Sequence, residues 1–215
     1  MQDFLPRLKD HLLARVRGLA YNGDEYDFSD EDRRCVLILD NKFFEHVYLR
    51  VNYTTYDLQR EQDSISSHSH PDIMLLSQED ERSHPYWYAR VCLIFHVMVQ
   101  HCNDAASPYS KPNRMDVLFV RWFRRDSNSK TGWDAKRLPR LQFFDEENLA
   151  DAFGFVDPES VIRGVHLIPA FGLGVTEELL GPSFVRQESE TIEPHNDWCF
   201  YYVNMWVKFY MCYIC

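Results

Sequence analysis

A mainly β fold, a barrel or sandwich led by one amphipathic helix, is predicted by three observations. Two segments between His84 and Arg125, residues 86–97 and 115–124, are dense in β-branched and aromatic residues over more than the usual strand length. The loop between them holds Asn103, Ser107, Pro108, Ser110, Pro112 and Asn113, so the pair reads as a long hairpin and the nucleus of the fold. Further short apolar runs are separated by turn residues, and only residues 3–20 carry a convincing helical period.

In that first segment Leu5, Leu8, Leu12, Val16 and Leu19 recur at three- and four-residue spacing, while Arg7, Lys9, Arg15 and Arg17 take other faces. Asp3 is placed to cap the helix, Pro6 falls in its permissive first turn and Gly18 begins the exit. A basic amphipathic helix can touch nucleic acid or a membrane, but a leucine stripe usually packs on the next layer, and that is the expectation here. Residues 21–34 form an acidic connector with turn chemistry at Asn22-Gly23. Within it Ser29 can cap a short helix, and Asp30-Glu31-Asp32 lacks the spacing of a calcium loop. The helix and connector, residues 1–34, are expected to precede one compact β unit spanning residues 35–215.

That unit opens with residues 35–39, a turn at Asp40-Asn41-Lys42 and residues 43–53, which read as a hairpin. Its second arm alternates Val47, Leu49, Val51 and Tyr53 against His46, Tyr48, Arg50 and Asn52. Residues 72–76 are a short strand before the central hairpin. After Arg125 come an apolar piece at 138–144, the acidic Asp145-Glu146-Glu147, and a turn at Asp157-Pro158. A strand over 165–168 is closed by Pro169, and a long loop over 172–197 is marked by Gly172, Gly174, Gly181, Pro182 and Pro194. Residues 198–213 are again aromatic and strand-like.

Aromatic residues make up 15% of the chain and glycines number only 8, which argues against disorder and against a glycine-rich phosphate-wrapping loop. A formal charge of −10 excludes a protein that simply coats nucleic acid, while leaving room for a local basic face. Met1 is followed by charged residues where a signal peptide is apolar, so Cys35, Cys92, Cys102, Cys199, Cys212 and Cys215 are expected as reduced thiols in an intracellular protein. No apolar run approaches the roughly 20 residues of a membrane span.

Three patterns suggest chemistry. Between Lys111 and Arg140 lie nine basic residues against three acids, with Trp122 and Trp133 interleaved. Arg121, Arg124, Arg125, Lys136, Arg137 and Arg140 are the candidate phosphate contacts, since cations grip the backbone and aromatic rings stack on bases, the alternative being that these arginines pair with Asp145, Glu146, Glu147 and the acidic loops nearby. Strand alternation puts Arg121 and Arg124 on opposite faces, so only one of them can join an exposed basic surface unless the strand lies at an edge or ends before Arg124. His68-Ser69-His70-Pro71-Asp72 has the His-x-His-x-Asp spacing of binuclear zinc hydrolases, making His68, His70 and Asp72 the candidate metal ligands. The third is Cys212-Tyr213-Ile214-Cys215, which supplies only half of a zinc site. No nucleophile elbow is present, so no catalytic residue and no cofactor is expected.

The order of several phrases resembles the bromo-adjacent homology (BAH) pattern. These are His84-Pro85-Tyr86-Trp87-Tyr88-Ala89-Arg90-Val91, Val120-Arg121-Trp122-Phe123-Arg124, Val161-Ile162-Arg163-Gly164-Val165-His166 and Tyr201-Tyr202-Val203. Over residues 3–207 the chain is similar to a module at the C-terminal end of fungal Plavaka-type DNA-transposon transposases and to related free-standing fungal proteins. The phrases that carry this are Phe4-Leu5-Pro6-Arg7-Leu8-Lys9-Asp10, Leu49-Arg50-Val51-Asn52-Tyr53-Thr54-Thr55-Tyr56-Asp57, His70-Pro71-Asp72-Ile73-Met74 and Ile162-Arg163-Gly164-Val165-His166-Leu167-Ile168-Pro169. The resemblance implies a partly open BAH-like β-barrel, descent from a mobile element, and a nuclear interaction module whose partners are chromatin, DNA or a transposase. It also implies that Tyr86, Trp87, Tyr88, Trp122 and Trp198 are candidates for an aromatic cage around a methylated lysine. Alternation sets Trp87 on the face opposite Tyr86 and Tyr88, so not all of them can join one cage. After Val207 the family pattern continues Asp-Arg-Asp-Met-Phe, whereas this chain has residues 208–215 as a shifted frame gives. The expectations are therefore a non-catalytic interaction module, or a metal-dependent hydrolase at His68, His70 and Asp72, or a decayed element with no selected function.

Overall fold

A computed structural model describes residues 3–19, 26–54, 58–77, 85–102, 108–129, 137–144, 149–176 and 197–204. The helical period at the start becomes α1 (Phe4–Val16), and α2 (Asp30–Arg34) follows. Leu8, Leu12 and Leu13 of α1 lose all or nearly all of their exposure against Phe95, Val97, Phe119 and Phe155, so the leucine stripe packs on the sheet as expected. Leu5 and Leu19, the outer members of the stripe, remain exposed. Two arginines of the basic face also turn inward: Arg7 donates to the Phe153 carbonyl at 2.7 Å, and Arg15 to the Asp116 carbonyl at 2.6 Å. Gly18, at a φ of +66°, takes the left-handed conformation that ends the helix. The Ser29 hydroxyl accepts from the Asp32 amide and caps α2. Arg33 of α2 then grips the buried Asp10 through two hydrogen bonds of 2.8 and 2.7 Å, tying α2 to α1.

The strands are β1 (Val36–Ile38), β2 (Phe44–His46), β3 (Leu49–Thr54), β4 (Arg60–Ile65), β5 (Asp72–Leu76), β6 (Tyr86–His101) and β7 (Asn113–Arg125). They continue as β8 (Arg140–Phe143), β9 (Phe153–Val156), β10 (Val161–Gly164), β11 (Leu167–Pro169), β12 (Val175–Thr176), β13 (Asp197–Trp198) and β14 (Tyr201–Val203). A four-residue helix, α3 (Leu149–Ala152), leads into β9. The fold is mainly β, as predicted: a ten-stranded antiparallel sheet curls into a half-barrel in the order β10-β5-β6-β7-β8-β14-β11, with β1 and β2 added on β6 and β9 on β7. The predicted central hairpin is its axis. β6 extends further than the sequence indicated and carries β5, β2 and β1 in succession along one edge, with β7 along the other.

The hairpin expected over residues 35–53 does not form. Asp40 and Asn41, at φ of 54° and 50°, make a short 3₁₀ turn that offsets the chain without reversing it, so β1 and β2 both pair with β6 in one direction. After His46 the chain leaves this sheet, and β3 pairs instead with β4 from Leu49↔Ile65 to Thr54↔Arg60. β4 carries no strand signal in the sequence, because Arg60-Glu61-Gln62-Asp63-Ser64 has no apolar alternation. Polar pairs hold it: Tyr53 donates to Glu61 at 2.8 Å and Gln62 to Asn52 at 2.7 Å. Most of the loop expected over 172–197 lies outside the described residues, and its two ends meet as the β12–β13 pair.

Both faces of β6 and β7 are covered. Phe95, Val97, Val117 and Phe119 face α1, while Ile94, Leu118, Val120 and Trp122 face the opposite core with Ile65 and Val161. A third cluster, with Tyr88, Phe123, Phe143 and Tyr201, fills the end beneath β8 and β14. Among the described residues no helix is long and apolar enough to cross a membrane.

Candidate functional site

The predicted basic run divides by face. Arg121 is buried in the third cluster, its guanidinium 3.6 Å from the Phe143 ring centroid and 2.5 Å from an Asp197 oxygen, so it cannot serve an exposed surface. Arg140 donates through Nε to the buried Asp126 at 2.7 Å and lies over the Phe200 ring. Arg124, on the face opposite Arg121, donates to the Gln142 amide oxygen at 2.7 and 2.9 Å once that amide is turned to match its neighbours. Arg125 and Arg137 are exposed, and Lys136 lies outside the described residues.

The aromatic candidates divide as well. Trp87 meets Trp122 edge-on at 6.3 Å on one face of the sheet. Tyr86, Tyr88 and Trp198 belong to the cluster on the other face, where Tyr88 is only 2% exposed. The register Ala89↔Trp122 and Tyr88↔Phe123 imposes this division, and a single cage of all five residues does not exist.

His68, His70 and Asp72 have no common centre. Both histidines are exposed on the turn before β5, whereas Asp72 is buried and bound by Arg90 through Nε at 2.8 Å and Nη2 at 3.2 Å. Regular alternation along a strand end would have brought the three together, but the carboxylate is already taken by a guanidinium. Arg90 and Arg121 share Asp197, and Arg90 also reaches the Tyr201 hydroxyl. Two acids thus balance two guanidiniums inside the barrel end. Burial opposes the Arg90 charge, yet Asp72 outweighs it and the pKa lies above the ordinary value. For Arg121 burial prevails, and the pKa is lowered despite Asp197. Cys35, Cys92, Cys102 and Cys199 are free thiols, and Cys212 and Cys215 lie outside the described residues.

A different constellation gathers where β2, β6 and β7 meet. Phe44↔His96 and His96↔Asp116 are direct cross-strand pairs, and His46 is the diagonal neighbour of His96. His46 Nε2 stands 2.7 Å from His96 Nδ1. The Phe44 ring stacks on His96 at 4.7 Å. Arg114 donates to both Asp116 oxygens and lies 3.4 Å from His46 Nε2. Burial, then the Arg114 charge, holds the His96 imidazole below its ordinary value. Among the described residues this is the one group of three His, Cys or acidic side chains whose ligand atoms all lie within 4.8 Å of one another.

No family model, curated protein or solved structure matches the chain. The side chains in place therefore carry the functional reading. In the sequence His46 stands out only as part of an alternating strand and Asp116 only as one of three acids within the basic run, and His96 carries no signal of its own. Their separation along the chain leaves no local motif, and only the pairing register could have joined them.

Proposed function

We propose that the chain is a BAH-like, non-catalytic nuclear module descended from a fungal mobile element, and that it binds DNA through the cationic end of β7 and β8. The observation that supports this reading best is the distribution of charge at that end. Asp126, the acid buried there, is taken by Arg140. Arg124 is held by Gln142, and Arg125 and Arg137 are exposed. Cations so placed attract phosphates, and each phosphate neutralised releases condensed counterions, which supplies most of such an affinity.

The overall charge of −10 repels a polyanion elsewhere on the surface, so contact is local and sensitive to salt. Chromatin and a transposase remain the wider partners that the resemblance implies, and DNA is the one whose phosphates match exposed arginines. Recognition of methylated lysine has less support, because the five aromatic candidates are divided between two faces.

Duplex binding at low salt, followed by fluorescence anisotropy, tests the reading. With Arg124, Arg125 and Arg137 all changed to Gln, affinity is expected to fall at least about tenfold with unchanged thermal unfolding. Equal affinity in that variant, or no binding by the unaltered chain at low salt, overturns it.

A further inference from the structure

We propose that His46, His96 and Asp116 form a transition-metal site that takes Zn²⁺, an inference that goes beyond the DNA-binding reading and does not depend on it. Two imidazoles and one carboxylate, their ligand atoms within 4.8 Å of one another, are a donor set used by zinc centres that keep a fourth position for water. Mixed nitrogen and oxygen donors favour zinc over Mg²⁺ or Ca²⁺, which prefer all-oxygen shells.

The histidine rings lie within 18° of coplanar with centroids 4.9 Å apart, so they meet edge to edge with Nε2 of His46 facing Nδ1 of His96. Two nitrogens bound to one tetrahedral zinc at about 2.0–2.1 Å are about 3.3 Å apart with their lone pairs converging on the ion, so the pair opens by about 0.6 Å and one ring tilts out of line to admit it. That movement falls to His46, on a three-residue strand paired along the edge of β6, while Phe44 keeps the His96 ring in plane.

Arg114 supplies an independent sign that the position suits a cation. Its Nη2 lies 2.6 Å from an Asp116 oxygen and 3.4 Å from His46 Nε2, between carboxylate and imidazole. Of the two ring nitrogens that stand 2.7 Å apart one carries a proton, and that proton leaves when both bind a single ion. The Arg114 side chain is 52% exposed and can swing into solvent as Zn²⁺ takes its place. Arg114 is then a competitor of the metal for Asp116.

Zn²⁺ binding by the full chain after chelator treatment, measured by calorimetry in a Cys212→Ser, Cys215→Ser background, tests the site. Cobalt absorption in the same background reports coordination. One saturable equivalent is expected, weakened at least about tenfold by His96→Ala and by Asp116→Asn, and tightened by Arg114→Gln. His70→Ala is expected to change nothing. The absence of saturable binding at micromolar Zn²⁺, binding undiminished in both ligand variants, or binding lost with His70 overturns the proposal. Asp116→Asn, with its conserved shape, keeps the test valid should His96→Ala fail to fold.

Discussion

At Asp197 one carboxylate faces two guanidiniums, Arg121 at 2.5 Å and Arg90 at 3.4 Å, and Arg121 is almost wholly removed from water. Changing Asp197 to Asn keeps the shape and leaves the Arg121 charge buried beside a neutral amide, which is expected to cost about 3–5 kcal/mol in denaturant unfolding. Replacing Arg121 and Asp197 together with apolar residues is expected to be far milder, because no charge is then stranded. The sequence could not announce this pair. Arg121 stands in a run of cations that reads as a phosphate-binding patch, and its partner is 76 residues away. For the same reason His46 and His96 form no motif in the sequence, whereas His68-Ser69-His70-Pro71-Asp72 is a compact local one. Local spacing advertises ligands only when the fold also turns them to one point.

The β3–β4 pair shows what sequence patterning misses at the scale of an element. Tyr53 links three strands: it donates to Glu61 on β4, accepts from Arg163 on β10 at 3.2 Å, and carries the Arg163 guanidinium over its ring at 4.3 Å. Burial and the bond to Glu61 push its phenol up from 10.0 to about 12. The folded state thus favours the neutral phenol. Its stabilisation is complete below pH about 10 and is lost as pH rises towards 12. Ultraviolet difference titration of the unaltered chain against Tyr53→Phe is expected to isolate one phenol with a midpoint near 12, and a midpoint near 10 would remove Tyr53 from this link. α1, β5, β6 and β7 were legible because apolar period and β-branched content act locally. β4 was not, since its stability lies in cross-strand polar pairs whose partners a single strand does not reveal. The β1–β2 offset was equally hidden, as Asp40-Asn41 reads the same whether the chain reverses or steps along β6.

Across the whole molecule, the half-barrel depends on a helix covering one face of its central hairpin. Leu12, fully buried against that face, is expected to cost about 2–5 kcal/mol when changed to Ala, read as a fall in the denaturant midpoint. A loss below about 0.5 kcal/mol would mean that α1 is not part of the core. The mainly β class and the packed helix followed from composition and period, whereas sheet order and the partition of the basic and aromatic runs between faces required register. That partition moves the DNA-binding account away from Arg121 and Arg140 and onto Arg124, Arg125 and Arg137. The slope of log K against log salt for duplex binding tests it most directly, since each phosphate contact contributes about 0.9. Neutralising these three arginines is expected to make the slope shallower by about 2–3. Parallel slopes for the variant and the unaltered chain would contradict it.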